Sequence, residues 1–250
     1  MSKHKDIWEE YGVNDAYFAV STFDKFRSSN IDESAKAEFF DTGRVHIDEV
    51  WTELESAFGN QIHTKRAIDY GCGVGRLLLP MAAKSDSVTG VDISSAMLDE
   101  TRRNAEAMGR SNVTLQTADE FMVADEDTYD LVHSYIVLQH ISPVLGYQII
   151  DKLVRRLEPG GFGMLHVTFK DPSSSFQQFR FKIYRDVPGV HRLMNLVRGI
   201  KERLMPMYEY DREKVLAILS DHGCEVSAIR DTDHGFLGGM IFFRKIEGSK

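Results

Sequence analysis

The sequence predicts an α/β fold in which a mostly parallel sheet is covered by helices on both faces. Three observations lead there. Short apolar runs alternate with helix-like segments between residues 65 and 170, and such alternation implies right-handed crossovers. The first run enters a turn with glycines at 71, 73 and 75. Two late apolar runs lie close enough in sequence to pair as a hairpin, so one of them is expected to oppose the rest.

Taken in order, residues 1–60 mix aromatic and acidic side chains, and Val45, Ile47, Val50, Trp51, Leu54 and Phe58 recur at helical spacing. Several short helices are expected here, forming a cap. Strands follow at 67–70, 87–92, 113–116, 129–135 and 163–169, the last after Pro159-Gly160-Gly161. Helices are expected at 76–84, 94–108 and 142–157, with Ser94 or Ser95 as the N-cap of the second. Residues 171–210 break the rhythm. A helix at 212–222 and strands at 225–230 and 240–244 resume it. The expected organisation is a single domain over 1–250: a cap at 1–60, a core at 61–170 and 211–247, and an insertion at 171–210.

Composition narrows the class. The 250 residues hold 30 Lys+Arg against 38 Asp+Glu, a formal net charge of -8, with 42% hydrophobic residues. This is ordinary globular composition. The acidic balance makes nucleic acid an unlikely partner. Cys72 and Cys224 are far apart and outside any metal-ligand spacing, which suits a reducing compartment. The polar start has no signal-peptide core, and the longest apolar stretch, 77–83, is too short to span a bilayer. A soluble, cytoplasmic protein is expected.

The turn Asp69-Tyr70-Gly71-Cys72-Gly73-Val74-Gly75-Arg76 carries the most chemistry. A glycine-rich turn between strand and helix lets a ligand approach the backbone closely. Its spacing satisfies neither the dinucleotide nor the P-loop pattern. An acid two positions before the first glycine suits a zwitterionic amino-acid tail, with Asp69 receiving the ammonium and the loop amides facing the carboxylate. Asp92 ends the second strand, where an acid can accept both ribose hydroxyls. Asp119 follows the third strand and can accept from an adenine amine, with Phe121, Met122 or Met97 against the ring. Singly, each acid also reads as a strand-end or N-cap residue. Together they imply an adenosine joined to an amino acid.

At this point the sequence resembles the class I S-adenosylmethionine-dependent methyltransferases. The resemblance covers about residues 65–170 and rests on the 69–76 turn, Gly90-Val91-Asp92-Ile93-Ser94, Asp119, Tyr129-Asp130-Leu131-Val132-His133-Ser134 and Leu157-Glu158-Pro159-Gly160-Gly161. The strand pair at 225–245 matches that family's hairpin. The resemblance implies a Rossmann-like three-layer sandwich, with seven strands in the order 3-2-1-4-5-7-6 and the seventh antiparallel. S-adenosylmethionine is the implied cofactor; acids and histidines leave a metal-assisted route conceivable, but no compact ligand set stands out. Its implied contacts are Gly71, Gly73, Gly75, Asp92 and Asp119, and Asp69, Cys72, Ile93, Met97, Glu120, Phe121 and Ser134 are the further expected cofactor contacts. Arg44 resembles a residue that some relatives aim at the methionine carboxylate, although a surface salt bridge accounts for it equally.

Methyl transfer from a sulfonium needs alignment and desolvation, and a hydroxyl acceptor also needs a base. His140, between the fourth strand and the next helix, is the leading base, with cofactor-side and structural roles as alternatives. His166, inside the fifth strand, reads as a buried core histidine or as part of the acceptor wall. Tyr11, Tyr17, Phe18 and Tyr135 are the other candidates for that wall, with core packing as the alternative for the first three. No Asp/Asn-Pro-Pro-Tyr/Phe motif follows the fourth strand, which disfavours amino methylation of bases. The basic stretch 176–204 reads as a solvated helix face, or as suited to an anionic or polyhydroxyl substrate, a membrane surface or a partner. The expected acceptor is a small molecule, through a hydroxyl of a sugar, glycan terminus or secondary metabolite. An amine, carboxyl or RNA acceptor and a silent cofactor-binding scaffold are the alternatives.

Overall fold

A computed structural model describes residues 3–59, 61–124, 127–170, 205–233 and 236–247. The chain begins with α1 (Lys3–Asn14) and α2 (Ala16–Val20), a short 3-10 turn at Asp24–Phe26, and α3 (Glu33–Phe58). The core alternates β1 (Thr64–Tyr70), α4 (Leu78–Ala82), β2 (Ser85–Asp92), α5 (Ser95–Ala107), β3 (Val113–Thr117), α6 (Ala118–Val123), β4 (Tyr129–Ser134), α7 (Pro143–Arg155) and β5 (Leu157–Lys170). After residues 171–204, which lie outside the description, come α8 (Arg212–Asp221), β6 (Cys224–Asp233) and β7 (Leu237–Lys245).

The seven strands lie in the order β3-β2-β1-β4-β5-β7-β6. Pairs within β1 to β5 are parallel, whereas β7 is antiparallel to both β5 and β6. The order and the reversed last strand are those the sequence implied. Alternate strand residues serve opposite faces, as the two-residue pleat demands. Ala67, Leu131, Met164 and Phe242 pack with Ile47, Val50, Trp51 and Leu54 of α3 and with Leu78 of α4. Their neighbours Ile68, Val132, Leu165 and Phe243 pack instead with α7 and α8 through Ile150, Leu153, Val215 and Leu219. A third cluster joins Phe26, Phe39 and Phe40 of the cap to Val74 of the glycine turn and Met97 of α5. The aromatic N-terminal zone is therefore fixed on the same side as the turn.

Three elements differ from expectation. The region of short helices contains one long helix, α3, whose N-cap Asp32 accepts from the Ala35 amide. No proline interrupts it, and Gly43 sits where a side chain has no room: a Cβ there would lie 2.0 Å from the Arg76 carbonyl oxygen. Helix α4 is shorter than expected, because Pro80 cannot donate to a preceding turn and sits near the helix start. Strand β5 begins earlier, at Leu157 opposite Tyr129, bulges through Pro159–Gly161 and re-pairs at Phe162 opposite Leu131. The expected turn there is a bulge inside the ladder.

Gly43→Ala is a direct test of how α3 is seated. Alanine favours a helix by about 1 kcal/mol over glycine, yet overpacking costs about 1–3 kcal/mol. The backbone oxygen it meets cannot swing away. We expect urea denaturation to show a net loss of stability; a gain would show that α3 is free to shift.

Candidate active site

The carboxyl ends of β1, β2 and β4 open into a cleft of about 260 Å³ beneath the cap. Gly71, Gly73 and Gly75 all have positive φ, at 82°, 55° and 91°. At Gly71 a Cβ would also lie 2.2 Å from the Val137 side chain. Thr101 and Asn104 of α5 clamp the turn by donating to the Gly73 and Val74 carbonyls at 2.6 and 3.0 Å. Four amides of the turn have partners within the protein. Gly71 and Cys72 donate to Val91 O, Gly75 donates to Cys72 O, and Gly73 donates to Asp92. These four amides are held within the protein, and the Arg76 side chain closes the turn at the cleft.

Asp92 holds two amides at once: Oδ2 accepts from Gly73 and Oδ1 from Ser94, both at 2.9 Å. Burial pushes its carboxyl up to about 6, against the pull of those amides. Ser94 in turn caps α5 by accepting from the Met97 amide. Asp69 is 2% exposed, and its Oδ1 lies 2.8 Å from His133 Nδ1. A carboxylate only accepts, so Nδ1 carries the proton. Asp69 Oδ2 is buried with no hydrogen-bond partner among the described residues.

His140, the last residue of the 3-10 turn Leu138–His140, lines the cleft. Its Nδ1 is 2.8 Å from Pro206 O, so this nitrogen bears the hydrogen. Its Nε2 is 3.2 Å from Gln139 Nε2, whose amide is oriented by Thr168 Oγ1 donating to Gln139 Oε1. The network sets the tautomer and leaves Nε2 as the accepting nitrogen. Trp8 of α1 meets the imidazole edge-on at 5.2 Å.

Of the cofactor candidates, Asp69, Gly71, Cys72, Gly73, Asp92, Ile93, Met97 and Asp119 line the cleft. Asp119 is at the rim, where Lys5 reaches its carboxylate at 3.0 Å. Gly75 shapes the turn from behind. Ser134 donates to Tyr70 O, and Glu120 closes a capping box with Thr117. Phe121 is a core residue packed on Tyr70. Arg44 is not among the lining residues; it is exposed on α3 and paired with Asp41 and Asp48.

Of the acceptor-side candidates, Tyr135 lines the cleft. Tyr17 turns away: its hydroxyl lies 2.6 Å from Glu100 and 2.9 Å from Asn104, and burial pushes the phenol up. Phe18 carries the Arg27 guanidinium over its ring, and Tyr11 packs beside Trp8. His166 is buried in β5, bonded to Thr232 and 5.2 Å from Tyr135. These are the packing fates that aromatic residues on helix faces usually have.

Sequence reasoning missed Trp8, Arg76, Ile136 and Val137, which also line the cleft. Ile136 has φ 59°, a conformation that a β-branched residue rarely adopts, directly after β4. Arg76 was readable as the residue closing the glycine turn. Trp8 belongs to a remote helix and carried no local signal. No group of three or more His, Cys, Asp or Glu suited to a metal occurs among the described residues.

The strand order and the reversed β7, with a glycine turn after β1 and an acid ending β2, define the class I S-adenosylmethionine-dependent methyltransferase fold. Residues 67–161 match the family model of a methyltransferase domain. Among curated proteins, the chain is similar to the ubiquinone biosynthesis O-methyltransferase of Vibrio cholerae, at 30% identity over 145 residues, covering 58% of this chain and 54% of that protein. The counterpart from Dinoroseobacter shibae is 28% identical over 136 residues, covering 52% and 54%. The chain thus spans about half the length of these curated relatives. Among solved structures, magnesium protoporphyrin IX methyltransferase from Synechocystis PCC 6803 with bound S-adenosylhomocysteine superposes with TM-score 0.62 at 22% identity, covering 97% of this chain and 100% of that one. The N-methyltransferase NodS from Bradyrhizobium japonicum, also with S-adenosylhomocysteine, gives 0.61 at 13% identity, covering 98% and 100%. No described helix is long and apolar enough to cross a membrane.

Proposed function

We propose that the chain binds S-adenosylmethionine and transfers its methyl group to a hydroxyl of a small molecule. The observation that carries this reading is the pairing of two buried acids along one wall of the cleft. Asp69 has an open, buried oxygen that calls for a cationic donor, which an α-ammonium supplies. Asp92 ends β2 with further lone pairs available for ribose hydroxyls. Ile93, Met97 and Met122 form an apolar wall suited to adenine, and Asp119 stands at the rim for its amine. The residues fit the cofactor that the solved neighbours hold. When bound, it supplies an electrophilic methyl on a sulfonium.

The protein's part is then alignment, exclusion of water and proton removal. Trp8 and Tyr135 narrow the cleft with rings. His140 Nε2 takes the acceptor's proton once that hydroxyl replaces the Gln139 amide, while Pro206 O holds the imidazole by Nδ1–H. Oxygen as the acceptor atom is supported by this positioned base and by relatives named for O-methylation. The aromatic wall of Trp8 and Tyr135 favours a phenolic hydroxyl over the sugar or glycan hydroxyl that the sequence suggested.

The test has two arms. Calorimetry is expected to show one S-adenosylhomocysteine bound per chain. Incubation with methyl-labelled cofactor and small phenols or a metabolite extract is expected to give a labelled ether. Absence of nucleoside binding would overturn the reading, and binding without transfer would favour the scaffold alternative.

A further inference from the structure

Arg76 is the one Lys or Arg among the described residues that line the cleft. It follows the glycine turn directly, and its own backbone is fixed, because its carbonyl oxygen abuts Gly43 of α3. Its Nε is buried without a hydrogen-bond partner among the described residues. Its one hydrogen bond among them is a long contact from Nη1 to Thr42 Oγ1, at 3.4 Å. Burial works against the guanidinium's charge, and the groups acting in its favour are the Tyr135 phenol and Asp69, neither at ion-pair distance. Elsewhere on the surface the arginines find partners: Arg44 with two aspartates, Arg66 with Glu158, Arg103 with Glu100.

A guanidinium stays charged in proteins and presents a planar fork that matches a carboxylate. Burying it so poorly satisfied is costly unless an anion completes it. No backbone amide of Gly71, Cys72, Gly73 or Gly75 can do a carboxylate's recognition, since all four are engaged.

We propose that Arg76 is a carboxylate-binding residue of this cleft, set beside Asp69 so that a cation and an anion are received next to each other. The inference deepens the cofactor reading and rests on it. The carboxylate has two available sources: the amino-acid tail of the cofactor, or an acid group on the methyl acceptor. Both are the same chemistry at the guanidinium.

Three probes separate them by calorimetry on the full chain. S-adenosylhomocysteine carries the tail. 5′-Methylthioadenosine has the same nucleoside and thioether without it. Benzoate, added to protein saturated with S-adenosylhomocysteine, stands for an acidic aromatic acceptor. If the tail is the source, Arg76→Gln binds S-adenosylhomocysteine at least about tenfold more weakly, as loss of a charged hydrogen-bond partner predicts. Methylthioadenosine binding is then unchanged. If the acceptor is the source, both nucleosides bind as in the wild type and benzoate binding is lost. Arg76→Lys recovers only part of either effect, because an ammonium cannot offer the fork. Should Arg76→Gln also lose methylthioadenosine, its fold is impaired, and Arg76→Lys decides by the same comparison. Unchanged binding of all three probes overturns the inference alone. Wild-type protein that binds neither nucleoside overturns the cofactor reading, and this inference with it.

Discussion

Asp92→Ala is expected to weaken S-adenosylhomocysteine binding by about a hundredfold or more, the largest effect on affinity of any single change in the cleft. A carboxylate hydrogen bond contributes about 1.5–3 kcal/mol, and two ribose hydroxyls are at stake, while a hundredfold is about 2.7 kcal/mol. The same change orphans the Gly73 and Ser94 amides, so the glycine turn loosens as well. Asp92→Asn separates the two roles, because an amide keeps the shape but has one accepting oxygen. Its affinity should fall between the other two.

Proton linkage gives this prediction a second readout. Burial holds the Asp92 carboxyl at about 6 in the folded chain, above the 3.8 of an exposed one. Folding therefore favours its protonated form. The stability this adds is complete below the unfolded value and is lost as pH rises through about 6. Ribose hydroxyls need the ionised form, so affinity runs the other way and falls below about pH 6. Difference curves between wild type and Asp92→Asn isolate the single group. Affinity of the wild type that stays flat from pH 7 to 5 would show that Asp92 does not contact the nucleoside.

His140→Ala is expected to lower turnover by about 10²- to 10⁴-fold, the range that a positioned general base contributes. Binding of S-adenosylhomocysteine should change little, because the imidazole meets Trp8 and the 205–208 segment and not the nucleoside wall. His140→Gln keeps a donor but has no basic nitrogen, and should be as slow as alanine. Single-turnover transfer from labelled cofactor measures the step directly. Full activity in both variants would mean that the acceptor loses its proton elsewhere.

Much of this molecule was legible in its sequence, and the reason is that local signals and sheet chemistry agree. Asp69, Asp92 and the three glycines are readable because strand ends and positive φ leave their mark within a few residues. The sheet order followed from the family resemblance, and the two late strands from their closeness in sequence. The misreadings have a common cause. Tyr17, Phe18 and Tyr11 are aromatic residues on helices, and which way a helix turns is decided by partners far away. Glu100 and Asn104 claim Tyr17, and Arg27 claims Phe18. Arg44 rested on a resemblance alone, and its salt-bridge alternative is what the structure shows: Asp41 and Asp48, one helical turn away on either side, hold it outside. Trp8 enters the cleft only because α1 folds back over α5, where Glu9 approaches the Ala96 amide. The basic stretch 176–204 lies outside the described residues.

The chain leaves the sheet at the end of β5 and returns beside the point it left. Tyr210 N donates to Thr168 O at 2.8 Å, Tyr208 N donates to Gln139 O, and the Tyr210 hydroxyl reaches the carbonyls of both Leu138 and Ile141. The described residues that flank 171–204 are thus joined to one another and to the histidine turn. Between flanks tied in this way, each doubling of a connection's length adds only about 0.6 kcal/mol of closure entropy. The flanks act as a fixed socket. A change of length between these flanks is therefore expected to leave the imidazole in its orientation.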